Sequence, residues 1–559
     1  MAFNDILESL GGVGYFQIMH SILLLIPVTL LACHNLLQNF TGAVPAHHCR
    51  VPSNVSQNLQ VKTSKDLNQA EILKLYIPLD KDNKPEKCVR YKITRGLLLL
   101  PNSTVKRRED VTKEICKEGW VYDQRVFSST IISEWNLVCE QSSWKQVAHS
   151  IYMTGVFFGA IVFGSLADKL GRMEILTWSY LQMGISGICA AFLPNFDAYC
   201  AFRFLCGVAS SSISVNTISL ILEWMPQKGR TLAGNFFGFS YSLGQILLAF
   251  VAYQIRDWRQ LQFAISAPFC IFFLYSWWLP ESARWLILQN RPHQALKTLR
   301  KAACFNGKRE EGEMLTAEIL CSDMQKEILE IRSSHSVMDL VRTPAMRRMS
   351  MCLILVWFST NFAYYGLSMD LQNFGLNIFL AQAVFGGFEM TAKIFIMVAM
   401  TFVGRRVLQF MSLFLAGIMV ISYGFIPQEM KMVCTVLAVT GKAFLACSIT
   451  CMYLFTGELY PTEIRQTGMG FSAMNARLGS AVASVVHLTG DFSASFLPVV
   501  FGITPIVAGL FSCFLEETRD SPLPDTIKEV ESRFQNSMLD MDGSEDDTLT
   551  QKMYFKEVP

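Results

Sequence analysis

The sequence predicts an all-α membrane protein with twelve transmembrane helices in two six-helix halves and a large extracellular loop between helices 1 and 2. Three observations predict it. The 559 residues are 51% hydrophobic and only 17% charged, with 41 Phe, whereas soluble domains are about 25% charged. Apolar stretches of the roughly 20 residues that a bilayer crossing needs begin near Gly14, Gln146, Glu174, Ala198, Thr231, Gln260, Ser350, Ile378, Gln409, Met432, Gln466 and Ser493. Two long polar blocks, 39–145 and 280–348, divide these stretches into one, five and six.

Residues 1–13 form a short cytoplasmic N-terminus with an amphipathic opening. The first apolar stretch lacks a short basic flank and a small-residue cleavage site, so it reads as a retained helix rather than a signal peptide. The block 39–145 carries Asn-X-Ser/Thr acceptors at Asn39, Asn54 and Asn102, which place it on the glycosylated, extracellular side. It also holds Cys49, Cys88, Cys116 and Cys139, an even set in a compartment where disulfides persist; three pairings are open. The remaining cysteines read as packing residues or free thiols.

The first half, 14–279, ends at the second polar block, 280–348. That linker is rich in Lys and Arg, among them Arg284, Arg291, Lys297, Arg300, Lys301, Arg347 and Arg348, with helical periodicity over Pro292–Ile331. Excess basic charge marks the cytoplasmic side, and six crossings return the chain there. The second half, 349–517, precedes a cytoplasmic tail, 518–559, whose acidic run Asp540–Asp547 predicts disorder.

Weak echoes link the halves. Gly164–Arg172 follows the second stretch and Val403–Arg406 the eighth; Glu223–Pro226 follows the fourth and Glu458–Arg465 the tenth. Parallel halves around a midplane site describe two-lobed secondary transporters. The turns are therefore expected to form a gate through Asp168, Arg172, Glu223, Arg405, Glu458 and Arg465; the plainer alternative is charge that only sets topology. Glu463 falls in the same class.

Lys393 and Arg477 lie near the middle of apolar stretches. A full charge at bilayer depth costs about 2.5–3.5 kcal/mol even on lenient scales and normally faces a polar path. At 1.5 Å per residue both lie roughly 17 Å from the inner turns, so they share a depth, and two cations there suit an anion. Arg477 has no acidic neighbour at i±3 or i±4. Lys393 has Glu389 one turn earlier, and a structural i,i+4 pair competes with a substrate contact. Lys442 and Arg203 read as structural or gating cations. Amphipathic ligands need apolar walls, for which Tyr241, Trp357, Tyr364, Tyr365 and Tyr453 are candidates against ordinary packing. Asn35 and His34 on the first helix add polar groups, although His34 reads more readily as a neutral core histidine.

The loop motif Gly164–Arg172 and Arg203-Phe-Leu-Cys-Gly207 resemble signatures of the major facilitator superfamily. Pro280-Glu-Ser-Ala-Arg-Trp-Leu286, Thr456–Gln466, Asn35–Thr41 and His47-His-Cys-Arg50 resemble the organic anion transporter subgroup of the solute-carrier 22 family across essentially the whole chain. The resemblance implies a multi-pass plasma-membrane protein carrying amphipathic organic anions by uniport or by rocker-switch exchange with a dicarboxylate or other counter-anion. Monocarboxylates, dicarboxylates, prostanoids and sulfated steroids are cargo classes it implies. It also associates the basic residues at Lys393 and Arg477 with anion recognition and matches Tyr241 and Tyr365 to aromatic pocket positions. Cation-carrying relatives generally have an acidic residue where Arg477 stands, so an organic cation or zwitterion carrier is the alternative. Ile449 replaces a Phe common in related anion transporters, which predicts a wider pocket.

The net charge of +2 and the lack of a basic stripe argue against nucleic acid. No HExxH, GxSxG or Walker A run is present, so no enzyme activity, cofactor or metal is expected; the partners are small organic anions and membrane lipid.

Overall fold

The computed structural model describes residues 3–51, 73, 76–80, 84–92, 113–323, 338–369, 371, 377–427, 430–461, 464–488, 495–519, 524 and 526–535. Asn54, Asn102, Glu463 and the Asp540–Asp547 run lie outside them.

Twelve membrane-crossing segments appear in the expected order. Spans 1 to 5 are Tyr15–Leu36, Trp144–Leu170, Arg172–Phe192, Phe196–Trp224 and Gln227–Gln254. Span 6 is two pieces, Trp258–Ser266 and Pro268–Ser276, and spans 7 to 12 are Pro344–Met369, Ile378–Phe402, Arg405–Phe425, Lys431–Leu459, Arg465–Val486 and Phe496–Ser512. By length and composition, nine helices among the described residues qualify as crossings. The other three fail for local reasons: span 6 breaks at Pro268, which has no N–H to continue a helix, span 11 is polar, and span 12 has only 17 residues.

Span 6 begins where the Asp257 carboxylate accepts from the N–H groups of Arg259 and Gln260, an N-cap worth about 1 kcal/mol. Spans 2 and 4 pack backbone to backbone. A Cβ on Gly155 would stand 2.3 Å from the carbonyl oxygen of Phe204, and one on Gly207 2.2 Å from that of Tyr152. Spans 2 and 3 are separated by Gly171 alone, at φ 114°, a left-handed conformation that suits glycine.

The described part of the loop between spans 1 and 2 folds on two antiparallel pairs, His47–Cys49 (β1) with Trp120–Tyr122 (β4) and Val89–Tyr91 (β2) with Lys113–Ile115 (β3). Disulfides join Cys49 to Cys116 and Cys88 to Cys139, selecting one of three pairings. The loop is fastened to the first half where the Trp258 indole donates to Glu134 at 2.7 Å and Ser129 donates to Asp257 at 2.6 Å.

At the opposite, linker end, Pro292–Phe305, Arg309–Met314 and Ala317–Asp323 are helical. The amphipathic opening is a helix, Phe3–Ser9, which buries Phe3, Ile6 and Leu7. The expectation of a disordered tail is corrected for its first part: residues 527–535 form a helix, because Val530 is buried and Phe534 sits under the Arg348 guanidinium at 5.4 Å. Outward faces carry exposed Phe250, Ile271, Phe388 and Phe395, with Trp277 and Trp278 at the linker end, the apolar belt and interfacial aromatics of a lipid-facing surface.

Candidate functional site

The two halves meet at the loop end through an aromatic cluster. Phe379 of span 8 stacks on Phe40 at 5.5 Å and also meets Phe127 and Tyr253. Beside it the Asn39 amide donates to the carbonyl of Ser368, across the halves, at 3.0 Å. This corrects the expectation of a glycan there: the Nδ2 that would carry the sugar is engaged in the interface, and the side chain is half-buried.

Below that cluster, spans 5, 7, 8 and 10 converge on a buried polar network. The Lys393 ammonium donates to Glu389 Oε1 at 2.7 Å, to Ser242 Oγ at 2.9 Å and to the carbonyl of Gly238 at 2.8 Å. An ammonium has three protons, and all are engaged. Of the two readings of Lys393, this conformation has the structural one and not the direct ligand contact: Lys393 pairs i,i+4 with Glu389 and clamps span 8 to span 5. The other Glu389 oxygen accepts from Tyr364 Oη at 2.8 Å and Gln245 Nε2 at 2.7 Å. Lys442 donates to Gln245 Oε1 at 3.0 Å and lies over the rings of Phe385 and Tyr364. Two cations thus share one carboxylate, leaving an excess positive charge.

Arg477 is different. It is half-buried, and its guanidinium reaches across to the other half, donating to Ser214 Oγ at 3.2 Å; no carboxylate pairs with it among the described residues. Tyr453, 45% exposed, meets Trp357 edge-on at 4.6 Å. The Trp357 indole donates to Thr456, which fixes that wall. Ile449, one turn from Tyr453, packs against the core. Tyr241 and Tyr365 join hydroxyls across the halves at 3.3 Å, and Asn35 donates to Tyr241 at 3.4 Å.

His34 is not part of this space. Its ring is fully buried within the first half, edge-on to Phe269 at 5.5 Å and close to Gly187, so of its two readings the core histidine holds and the substrate contact does not.

The sequence echoes fold onto one another. Arg172 pairs with Glu223 at 3.0 Å in the first half, and Arg405 pairs with Glu458 at 3.2 Å in the second. Arg465 donates to the carbonyl of Tyr460; the Asp168 side chain lies outside the described part. Both latches stay within their own half. Each is extended by a carboxylate the sequence reading left without a role. Glu281 accepts from the N–H of Met173 at 2.9 Å, and Glu517 from the N–H groups of Arg405 and Arg406 at 2.8 and 3.1 Å. They cap the start of spans 3 and 9, where the helix dipole favours a negative group. Burial pushes the Glu281 carboxyl above the usual carboxylate range, against these backbone hydrogen bonds. The signal was available: Glu281-Ser282 and Glu517-Thr518 each close a six-span half. Ser242 and Gln245 were also missed, although they share a helix face near Tyr241.

Two six-helix halves that meet through the Lys393 network and the Arg477–Ser214 contact are the architecture of a transporter of the major facilitator class. Residues 98–524 match the family described as "Sugar (and other) transporter". Mouse solute carrier family 22 member 20 is 51% identical over 535 residues, 95% of this chain and 94% of its own. Solute carrier family 22 member 6-A of Xenopus laevis is 47% identical over 560 residues, 100% of this chain and 99% of its own. The inward-open xylose transporter XylE from E. coli superposes with a TM-score of 0.56 over 71% of this chain and 91% of that chain; at 19% identity the likeness concerns the fold. The chain belongs to the sugar (and other) transporter family and, within it, to solute carrier family 22. It is a multi-pass membrane transporter of small organic solutes and not an enzyme.

Proposed function

We propose that the protein carries organic anions across the plasma membrane by alternating access, exchanging them for a dicarboxylate or another anion. The observation that supports this most is Arg477, a half-buried guanidinium where the two lobes meet, whose hydrogen-bond partner among the described residues is a neutral serine. A planar fork in that position suits a carboxylate or sulfonate, which it holds through two parallel hydrogen bonds. Tyr453 and Trp357 supply the apolar wall, and the excess charge around Lys393 and Lys442 adds to the field. The aromatic cluster at Phe379 closes the loop end, which is read as the extracellular side. The loop is extracellular and both termini are cytoplasmic.

An organic cation carrier would need an accessible intramembrane carboxylate. Glu389 is 1% exposed and engaged by Lys393, Tyr364, Gln245 and Ser242, which leaves it no capacity for a cationic ligand in this state. Counterflow from cells preloaded with a dicarboxylate tests the proposal: stimulated entry of labelled benzoate supports anion exchange, and stimulation of a quaternary ammonium cation instead supports the alternative.

A further inference from the structure

Arg203, on span 4, is 1% exposed, and neither Nε nor Nη1 has a hydrogen-bond partner. Its Nη2 donates to the carbonyl of His34 at 3.4 Å, and its guanidinium lies 4.3 Å from the centre of the Tyr152 ring. No carboxylate pairs with it among the described residues. A buried cation so placed is expensive, and stacking on an aromatic face offsets only part of that cost.

The ring beneath it leads to the central space. Tyr152 is fully buried and donates its hydroxyl to Asn35 Oδ1 at 2.5 Å, where Ser210 donates as well at 3.1 Å. A cation over the ring draws electron density from the phenol and makes it a better donor. With its carbonyl held by two hydroxyls, the Asn35 amide must turn its NH₂ the other way, toward Tyr241 Oη at 3.4 Å. Tyr241 in turn meets Tyr365 across the halves at 3.3 Å. One unbroken chain therefore runs from a guanidinium inside the first half to the hydroxyl pair at the lobe interface.

We propose that Arg203 is a positioning residue, acting through Tyr152 and Asn35 to aim the Tyr241 hydroxyl into the transport site. An organic anion then meets Arg477 from one lobe and this ordered donor chain from the other. The inference rests on the proposed anion transport.

The test is initial-rate uptake of labelled benzoate against concentration, at matched surface expression. Tyr152→Phe keeps the stacked ring and removes the hydroxyl; its half-saturation concentration should rise about three- to tenfold with the maximum rate retained, the size of one lost hydrogen bond. Asn35→Leu should do the same, and the double substitution should go no further, since both break one chain. Arg203→Met should match Tyr152→Phe, and Arg203→Lys should recover part of the loss. A merely structural role would lower expression or maximum rate and leave half-saturation in place. Wild-type half-saturation in Tyr152→Phe, or effects of Tyr152→Phe and Asn35→Leu that add in full, overturns this inference while leaving anion transport standing. Absence of benzoate uptake by the wild type overturns both.

Discussion

The ammonium of Lys393 lies 2.7 Å from Glu389 Oε1, and the same nitrogen donates to Ser242 on the opposite lobe at 2.9 Å. A bond within one helix and a bond between lobes therefore share one atom. Any motion that separates spans 5 and 8 must release Lys393 from Ser242 and Gly238 while Glu389 can keep hold of it. The pair is thus suited to travel with its own lobe.

Glu389→Gln is expected to be more damaging than Lys393→Met, because it leaves both Lys393 and Lys442 buried without a carboxylate. Breaking a buried pair costs about 3–5 kcal/mol, so the thermal midpoint in detergent should fall steeply. Lys393→Met with Glu389→Met should recover only part of it, since Lys442 stays buried without a carboxylate. If Lys393→Met is as stable as wild type and only raises half-saturation, the clamp reading is wrong and Lys393 is a ligand contact.

The latches predict a rate effect. Arg172→Ala and Arg405→Ala each remove an ion pair far from the midplane, which shifts the balance of facing states without touching ligand. Maximum uptake rate should drop severalfold with half-saturation within about twofold. A large rise in half-saturation at unchanged maximum rate contradicts the gate assignment.

Asn306 pins the N-terminus to the linker. Its side chain accepts from the N–H of Phe16 at 2.9 Å and donates to the carbonyl of Leu10 and to Gln17 Oε1, both at 3.0 Å. Asn306→Ala should raise backbone hydrogen exchange across residues 3–17 with little change in spans 2 to 5. Gly14→Ala should act similarly, since its Cβ would stand 2.4 Å from the Asn306 side chain. Unchanged exchange in both variants would show that the helix is held by its apolar face alone.

On the loop, Cys49→Ser should expose the Cys116 thiol, and Cys88→Ser that of Cys139, to an impermeant maleimide on intact cells. Wild type should react at none of the four without reductant. Glycosidase treatment should shift the mobility of wild type and of Asn39→Gln equally, since Asn39 is held by Ser368; loss of part of the shift in Asn39→Gln contradicts that.

The architecture was largely legible because hydropathy, sequons and basic turns are read locally. Twelve apolar stretches, a cysteine-bearing loop and a basic linker need no tertiary information. Span 6 shows the limit: Pro268 was visible, but a continuous crossing was the simpler reading of an unbroken apolar run. The tail helix at 527–535 was missed because its stability comes from Arg348 and the inner end of span 7, far away in sequence. In the site, Glu389 at i−4 made the pairing of Lys393 legible, whereas Gln245 and Ser214 were not, since their importance arises only when the opposite lobe brings a charged group to them. His34 kept two readings for the same reason: its depth along span 1 was readable, its facing was not.

The most direct measurement is uptake of labelled benzoate and of a quaternary ammonium cation by Arg477→Lys, Arg477→Ala and Arg477→Asp at matched surface expression. A charge-assisted hydrogen bond contributes about 1.5–3 kcal/mol, so Arg477→Lys should raise benzoate half-saturation roughly ten- to a hundredfold. Arg477→Ala and Arg477→Asp should abolish benzoate uptake, with some cation entry through Arg477→Asp. Benzoate transport by Arg477→Ala at wild-type affinity would contradict the account and assign Arg477 to holding the lobes together through Ser214.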